Sequence, residues 1–587
     1  MDRHRAPENL QDFLRSRPAE RSLWESLCAI GSAATGAKYL RALDREGLEN
    51  FFSDLSRADM AWLWAHRRAL LSGFERASGG EYVPVETSER LAGGGETARR
   101  GRAAIAAGEV AVAVFAGGAA SRFFHSGDAA AGPAHGVKGL CPATPVAGFS
   151  FLERLAFELL EEGICAGRLL PWVIMTSPAT GEAIRAWLER SALRQYPKDS
   201  IILIEQSANP RLDMDGDLAA GADGRLLWTG NGHGGIFSAL LRTDADGSRP
   251  VERLRSLGVR HLVMHNVDNL CARPLWPARL GCHLLGGYDM TLSAVARIRP
   301  EEKLGIFARR RQDRTLEVLE YSECPPAVAS AVGPDGSLAF RWGHINTNIV
   351  RLERARAEVP PTLYRNRRVD AGGRVIETST FEMLNQSLAG LLHPDRVGIA
   401  RVGRELFQPV KSRGGEDSLE EAQSRLSLAH ARRLAENGAA IESGALVELD
   451  PALGLEDDGA SRDSNLSKAG RGWKIEKDSR IYLGVRHSME GRMPYGSGLS
   501  VGKGATFWVE AASPYGSIRL GADNGLIEDP AGAGKIVLGH DVRVEAGASI
   551  RIRIQGDGLV MIPDGATLSG CIDEVVPPGS VVVLTKG

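Results

Sequence analysis

Glycines and polar side chains follow several predicted strands in the first two-thirds of the chain. The run Val110–Phe115 is followed directly by Ala116, Gly117 and Gly118. Glycines in that position let backbone N–H groups approach the phosphates or the base of a nucleotide. Arg122, slightly further on, could meet a leaving pyrophosphate. The segment contains neither GxxxxGK[ST] nor GxGxxG, and a tight turn without any ligand would have the same sequence.

Two other strand ends carry side chains with a more specific chemistry. Gln206 follows the run Ile201–Ile204, and its amide offers one donor and one acceptor in one plane, as the imide edge of uracil requires. Asp268 follows the apolar run Leu262–Met264, where a hard oxygen ligand could hold Mg²⁺ against phosphates. Each residue could equally be an ordinary polar group at the end of a strand.

The elements that must position these residues are strands that alternate with helices. Short β-type runs are each followed by a polar or glycine-rich turn and then by a helical pattern; they include 110–115, 171–175, 201–204, 261–264 and 290–295. This alternation predicts βαβ units and a mostly parallel sheet, which binds ligands at the carboxyl ends of its strands. We therefore predict an α/β fold.

Composition and charge exclude several classes of protein. Of the 587 residues, 43% are hydrophobic and 25% are charged, close to the average of globular domains. The net charge of -2, without a long basic run, argues against a nucleic-acid partner. The sequence shows no N-terminal apolar segment and no stretch of the ~20 apolar residues that cross a membrane. We expect a cytoplasmic protein that has no membrane partner.

The ordered motifs resemble those of the UDP-sugar pyrophosphorylase family, which includes UDP-N-acetylglucosamine pyrophosphorylases and UTP–glucose-1-phosphate uridylyltransferases. The loop at 115–122 is similar to the family's LxGGxGTR loop, and Lys138 is similar to the lysine of its PKG motif. Pro171–Ser177, which contains Met175, resembles a strand that ends in MTS. Gln206 matches the glutamine that reads uracil.

Further matches follow in the order of the family. They are Gly230–Ile236 (GNGG or GHG loop), Asn266–Asn269 (VDN metal-site turn), Glu320–Glu323 (EYSE) and Phe407–Lys411 (FxPxK). Together the matches run from about residue 110 to 455. The resemblance implies a Rossmann-like nucleotidyltransferase fold (GT-A-like), a mixed sheet flanked by helices. The implied reaction joins UTP to a hexose 1-phosphate, with Mg²⁺ as cofactor, and releases pyrophosphate.

The resemblance also implies a role for each matching residue. The catalytic cations are Arg122, Lys138 and Lys411. The nucleotide contacts are Ala116, Gly117, Gly118, Met175, Gln206 and Gly232. The sugar contacts are His233, Asn269, Glu320, Glu323, Asn346 and Asn348. The metal ligands are Asp268 and Glu382, the second of which lies near an Asp of the family. Catalysis then consists of positioning and charge neutralisation, without a nucleophilic residue.

Changes in composition and in the spacing of apolar residues divide the chain into four predicted segments. Residues 1–105 have apolar positions three and four apart, which predicts a helical N-terminal region. The nucleotidyltransferase catalytic domain follows at 106–455, and the Gly-, Ser- and Asp-rich residues 456–472 predict a linker. Residues 473–587 are dense in glycine and short β-type runs, which predicts a β-rich domain of β-helix type. We expect this domain to serve capping or assembly of a homo-oligomer.

The sequence leaves alternatives open for the sugar substrate and for the function. The EYSE motif favours N-acetylglucosamine 1-phosphate, whereas the loop around His233 and the Asn346–Asn348 turn resemble the glucose enzymes. The rival function is a noncatalytic sugar-nucleotide binder or assembly subunit, against which the retained Lys138, Asp268 and Lys411 argue. A hexapeptide acyltransferase in the C-terminal region is disfavoured by the irregular period of its β-type runs.

Overall fold

Helices form the N-terminal region of the computed structural model, which describes residues 7–29, 39–73, 81–85, 95–118, 136–244, 247–321, 324–356, 359–370, 373–454, 469–490 and 492–585. They are α1 (Glu8–Leu14), α2 (Pro18–Ala29), α3 (Arg45–Leu55) and α4 (Met60–Leu71). Asp44 and Asp59 cap α3 and α4, because their carboxylates accept hydrogen bonds from the first-turn N–H groups. The apolar faces of the helices pack against Leu212 and Phe381 of the central region.

The central region alternates strands and helices, as predicted. Its strands are β1 (Tyr82–Pro84), β2 (Val110–Phe115), β3 (Trp172–Thr176), β4 (Ile201–Glu205), β5 (Ala208–Pro210), β6 (Leu212–Asp213), β7 (Trp228–Gly230), β8 (His261–Asn266), β9 (Met290–Ala296), β10 (Gly305–Arg310), β11 (Leu316–Leu319), β12 (Trp342–His344), β13 (Thr347–Arg351), β14 (Pro361–Val369), β15 (Val375–Met383) and β16 (Val397–Arg401). Its helices are α5 (Gly95–Ala106), α6 (Phe151–Ala166), α7 (Gly181–Arg190), α8 (Gly235–Leu241), α9 (Pro250–Ser256), α10 (Pro277–Leu285), α11 (Pro326–Ala329) and α12 (Leu419–Glu436).

The main sheet has the strand order β1-β10-β12-β9-β13-β8-β2-β3-β4, with β11 paired to β10 and β16 paired to β9. Strands β8, β2, β3 and β4 are parallel, whereas β13 is antiparallel to both of its neighbours. Along β2, Ala111 and Ala113 enter one buried apolar cluster, and Val112 and Val114 enter another on the opposite face. The sheet is therefore covered on both faces, and the predicted mixed sheet flanked by helices is confirmed.

Two small antiparallel sheets stand beside the end of β4. One has the order β14-β15-β6, and the other pairs β5 with β7. In the first, Ser379 of β15 lies opposite Leu212 of β6. These small sheets carry residues across from the strand ends of the main sheet.

Parallel strands dominate the C-terminal region. They are β17 (Ala440–Ile441), β18 (Leu446–Leu449), β19 (Lys474–Ile475), β20 (Arg480–Gly484), β21 (Ser500–Val501), β22 (Thr506–Ala511), β23 (Ser517–Leu520), β24 (Leu526–Asp529), β25 (Lys535–Leu538), β26 (Arg543–Val544), β27 (Ser549–Ile554), β28 (Leu559–Ile562), β29 (Thr567–Leu568), β30 (Cys571–Val576) and β31 (Val581–Val583). Apart from the hairpin β23-β24, they stack into three parallel sheets, β17-β19-β21-β26-β29, β18-β20-β22-β27-β30 and β25-β28-β31. This is the architecture of a parallel β-helix.

The β-helix begins before the predicted linker. Strands β17 and β18 precede residue 455 but pair with β19 and β20. Residues 455–468, most of the predicted linker, lie outside the described residues. Among the residues that the structure describes, each helix is too short or too polar to cross a membrane.

Candidate active site

A cleft of about 530 Å³ opens where β2, β3, β4 and β8 end. It is the place where an α/β sheet of this kind binds ligands. Ten residues that the sequence predicted for the site line it: Ala116, Gly117, Gly118, Lys138, Met175, Gln206, Gly232, His233, Asp268 and Glu382. The cleft has two sides. We call Ala116–Gly118, Lys138, Gln206 and Asp268 the strand-end wall. We call Arg211, Trp228, Arg368 and Glu382 the small-sheet wall.

Gln206 lies at the end of β4 in a gap between two glycines. Its backbone N–H donates to Thr176 O over 3.0 Å, and the residue is 8% exposed. A Cβ at Gly117 would come within 2.7 Å of Gln206 Nε2, and a Cβ at Gly230 within 2.4 Å. A side chain at either position would displace the Gln206 amide from its present place in the cleft. The sequence predicted Gly117 but not Gly230.

Lys138 and Asp268 form an ion pair on the same wall. Lys138 Nζ lies 3.1 Å from Asp268 Oδ2 and donates to Val410 O over 2.8 Å. The backbone oxygen of Asp268 in turn accepts from the N–H of Val410 at 2.8 Å. The FxPxK segment is thus fixed against the turn that carries Asp268.

The other two predicted cations are not placed in the cleft. Lys411 follows Val410 but pairs with Asp417 at 3.3 Å, and it is absent from the lining of the cleft. Arg122 lies outside the described residues. Of the three predicted catalytic cations, Lys138 lines the cleft in the described part of the chain.

The small-sheet wall carries Glu382 beside two arginines. Burial raises the pKa of Glu382 from its ordinary value of 4.5 to about 7, against the opposing effect of Arg211, and the nearby Glu320 adds to the rise. Arg211 Nη2 donates to Thr229 Oγ1 over 3.0 Å. Arg211, Trp228 and Arg368 were not among the predicted site residues. The position of Arg211 directly after a short strand was the signal that could have identified it.

His233 is half-buried and neutral where it lines the cleft. Its Nδ1 accepts from the N–H of Asn385 at 3.1 Å, and its ring stacks on Phe115 with centroids 5.4 Å apart. Burial lowers the pKa of His233 to about 3, and the neighbouring His344 lowers it further. Because Nδ1 accepts, the ring proton lies on Nε2 and is available to a ligand hydroxyl.

A network of amides lies behind the cleft. Asn346 donates to Asn266 Oδ1 at 2.8 Å, Asn385 donates to Asn346 Oδ1 at 2.9 Å, and Asn348 donates to Asn385 Oδ1 at 2.6 Å. Asn266, which the sequence did not single out, lines the cleft. Asn346 and Asn348 are absent from that lining, and their hydrogen bonds support Asn266. The roles of Asn346 and Asn348 as sugar contacts stay predictions.

Two other predicted sugar contacts, Asn269 and Glu320, are absent from the lining of the cleft. Asn269 donates to Leu406 O at 3.0 Å and accepts from the N–H of Gln408 at 2.9 Å, so both ends of its amide hold a neighbouring loop. Glu320 accepts from Gln386 Nε2 at 2.9 Å. Glu323 lies outside the described residues.

Asp268 is the carboxylate best placed for a cation beside a substrate phosphate. Mg²⁺ in such sites takes one or two carboxylates and completes its shell with water and phosphate oxygens. Among the described residues, one cluster brings three acids together, Asp213, Asp215 and Asp217, and it does not line the cleft. Asp268 lines the cleft, where its carboxylate contacts Lys138, and its role as a metal ligand stays a prediction.

Comparison with known proteins identifies the family. Residues 148–452, about half of the chain, match the family described as UTP–glucose-1-phosphate uridylyltransferase. The chain belongs to this family. The matched range includes Gln206, Asp268 and Lys411, whereas Gly117 and Lys138 lie before its first residue.

The curated relatives of this uridylyltransferase-family chain are matched over part of their length. It is 30% identical to UDP-N-acetylglucosamine diphosphorylase 1 of Arabidopsis thaliana over 203 residues, which cover 34% of this chain and 39% of the relative. It is 27% identical to the probable UDP-N-acetylglucosamine pyrophosphorylase of Schizosaccharomyces pombe over 308 residues, 50% of this chain and 60% of the relative. The matched region spans two- to three-fifths of these proteins.

A solved structure shares the fold. The UDP-N-acetylglucosamine pyrophosphorylase from Trypanosoma brucei, solved with an inhibitor, superimposes with a TM-score of 0.60 at 18% identity, over 74% of this chain and 93% of that one. At this identity the likeness supports the architecture of the chain.

Proposed function

We propose that this chain transfers the uridylyl group of UTP to a hexose 1-phosphate, which yields a UDP-sugar and pyrophosphate. The observation that carries the proposal is that Gln206, between two glycines, and the Lys138–Asp268 pair line one cleft. The first can read a pyrimidine base, and the second can meet phosphates. Membership of the uridylyltransferase family supports the same reaction.

The nucleotide would lie along the strand-end wall. The Gln206 amide offers a donor and an acceptor to the imide edge of uracil. The backbone of Gly117 and Gly118, at the end of a buried strand, allows the base and ribose to approach closely. Lys138 and Asp268 lie further along the same wall, where the phosphates of a bound UTP would follow.

The chemistry needs positioning and charge neutralisation. An oxygen of the sugar phosphate attacks the α-phosphorus of UTP in line, a new P–O bond forms, and the bond to the leaving pyrophosphate breaks. Lys138 lies where it can neutralise phosphate charge, and Lys411 is one residue from the Val410 carbonyl that Lys138 contacts. Mg²⁺, held by Asp268 and substrate, would add positive charge. Glu382 stays a predicted second ligand.

The sugar would face the small-sheet wall and His233. The curated relatives are named as enzymes of UDP-N-acetylglucosamine, which supports N-acetylglucosamine 1-phosphate as the first sugar to test. Glucose 1-phosphate is the alternative, since the His233 loop resembles the glucose enzymes. A noncatalytic binder is less favoured, because binding alone does not call for Lys138 beside Asp268.

Pyrophosphate release tests the proposal. UTP and Mg²⁺ are supplied with N-acetylglucosamine 1-phosphate, glucose 1-phosphate or galactose 1-phosphate in separate reactions. We expect turnover with at least one sugar and its loss in Asp268→Ala, while Asp199→Ala, an exposed residue outside the cleft, keeps it. If the protein binds UTP but releases no pyrophosphate with any of the three sugars, the result would favour the noncatalytic binder.

A further inference from the structure

Arg211 is a buried cation with an unused donor at the edge of the cleft. It is 6% exposed, and its Nη1 has no hydrogen-bond partner among the described residues. Its Nη2 donates to the neutral hydroxyl of Thr229, and no ion pair joins it to an acid in the described part of the chain, although Glu382 is near. An unpaired buried guanidinium is costly unless an acceptor is supplied.

A second arginine lies on the same wall. Arg368 of β14 lines the cleft with Arg211, and the repulsion between them lowers the pKa of Arg211 in addition to the larger effect of burial. Arg368 Nη1 donates to the backbone oxygen of Arg367 at 2.9 Å. Two like charges on one wall, with Glu382 near Arg211, favour an anion from outside the chain.

Another buried arginine of this protein, Arg194, has an acid partner. Its guanidinium binds both carboxylate oxygens of Asp450 at 2.6 Å. In the described part of the chain no acid pairs with Arg211 in this way. Arg279 is also buried with an unpartnered Nε and without an ion pair to a described acid, but it does not line the cleft. The position of Arg211 and Arg368 in the lining of the cleft is therefore the observation that points to a ligand.

We propose that Arg211 and Arg368 form an oxyanion subsite for the substrate, in the cleft that the Lys138–Asp268 pair also lines. This inference rests on the proposed uridylyl transfer and assigns a specificity-determining role that the reaction itself does not require. The group bound is a planar or tetrahedral oxyanion. It is either the carboxylate of a hexuronic acid 1-phosphate or the β- and γ-phosphates of UTP.

Equilibrium binding separates these two sources without requiring turnover. The protein with Mg²⁺ is titrated with UDP-glucuronic acid and UDP-glucose, and then with UTP and UMP. A charged hydrogen bond contributes about 1.5–3 kcal/mol, so Arg211→Gln should weaken the relevant ligand by about tenfold or more. Arg211→Lys should recover part of that loss. Arg365→Gln is the control, at an exposed arginine of β14, the strand of Arg368, that does not line the cleft.

Each outcome has a definite meaning. A loss confined to UDP-glucuronic acid identifies the carboxylate as the bound group, and a loss for UTP but not UMP identifies the terminal phosphates. An unchanged affinity for all four ligands overturns the subsite. So does an equal loss for all four with a lower melting temperature, since Arg211 would then be structural. If the protein shows no turnover but Arg211→Gln still weakens only the ligands that carry the extra anionic group, the proposed reaction is contradicted and the subsite is supported.

Discussion

The two walls of the cleft are built in different ways. The strand-end wall takes Ala116–Gly118, Gln206 and Asp268 from the residues just after β2, β4 and β8, three strands of one parallel array. Lys138 comes from a separate turn that begins at this residue. The small-sheet wall depends on the contact of β15 with β6, where Ser379 donates to Leu212 O across 167 residues of sequence. One wall is fixed by the main sheet, and the other by long-range pairing and by the packing of the N-terminal helices.

This difference between the walls indicates which of their side chains can change without disturbing the main sheet. Residues at the carboxyl ends of parallel strands converge by topology, so nucleotide and phosphate contacts there follow from the sheet itself. The small-sheet wall can change its side chains without disturbing that sheet. We therefore expect substitutions on the strand-end wall to affect turnover, and those on the small-sheet wall to affect substrate choice and stability.

The largest expected effect is on the strand-end wall. Lys138→Met removes the cation that contacts Asp268 and Val410, and we expect kcat to fall by about 10²–10³, the usual loss for one preorganised group that stabilises transition-state charge. Steady-state pyrophosphate release measures it. Lys198→Met, at an exposed lysine that donates to Glu189 O, is the control. A loss of less than tenfold would show that Lys138 only supports Asp268.

The sequence could predict that these residues meet at the strand-end wall because the signal is local, whereas their roles stay predictions. Gly117, Gln206 and Asp268 each lie within a few residues of the end of an apolar run, so their place in the cleft depends on the strand that precedes them. Lys411 was also predicted from a motif, yet it pairs with Asp417 outside the lining of the cleft. The order of motifs does not report which way a side chain points.

The small-sheet wall was largely missed for a physical reason. Arg211 and Arg368 are far apart in sequence, and they share a wall because β6 and β14 both pair with β15. Such pairing depends on non-local contacts that no short pattern contains. The main sheet and the β-helix, in contrast, have repeated local patterns, and their general architecture was predictable.

The next effect in size is a pH dependence on the small-sheet wall. The raised pKa of Glu382 means that the folded state holds its proton more tightly than the unfolded state. Stability is then fully present below pH ~4.5 and is lost as the pH rises toward about 7. Glu382→Gln removes this loss, so above pH 7 the variant should be more stable by up to about 3 kcal/mol.

Urea unfolding without Mg²⁺ at pH 4.5 and pH 8 measures this difference. The variant and the parent should coincide at the lower pH and separate at the higher one. Glu377→Gln, at an exposed position of the same strand, should not separate from the parent at either pH. A constant gap at both pH values would show that the effect comes from packing rather than from ionisation.

The smallest effect tests whether the N-terminal helices support the small-sheet wall. Asp54 of α3 is buried, and it accepts from the N–H of Leu226 at 3.0 Å and from Trp228 Nε1 at 3.3 Å. Asp54→Asn keeps the size but replaces one acceptor oxygen by a donor, so we expect a loss of about 2 kcal/mol in stability. Since Trp228 lines the cleft, KM for the sugar 1-phosphate should rise a few-fold with little change in kcat.

The matched control is Asp12→Asn, at an exposed aspartate of α1. If Asp54→Asn lowered the melting temperature but left KM unchanged, the helices would be packing against the central region without shaping the cleft. If KM rose and kcat fell together, the strand-end wall would also depend on the helices, and the division between the two walls would not hold. A change in KM alone places the N-terminal region in substrate binding, because Asp54 reaches the cleft through Trp228.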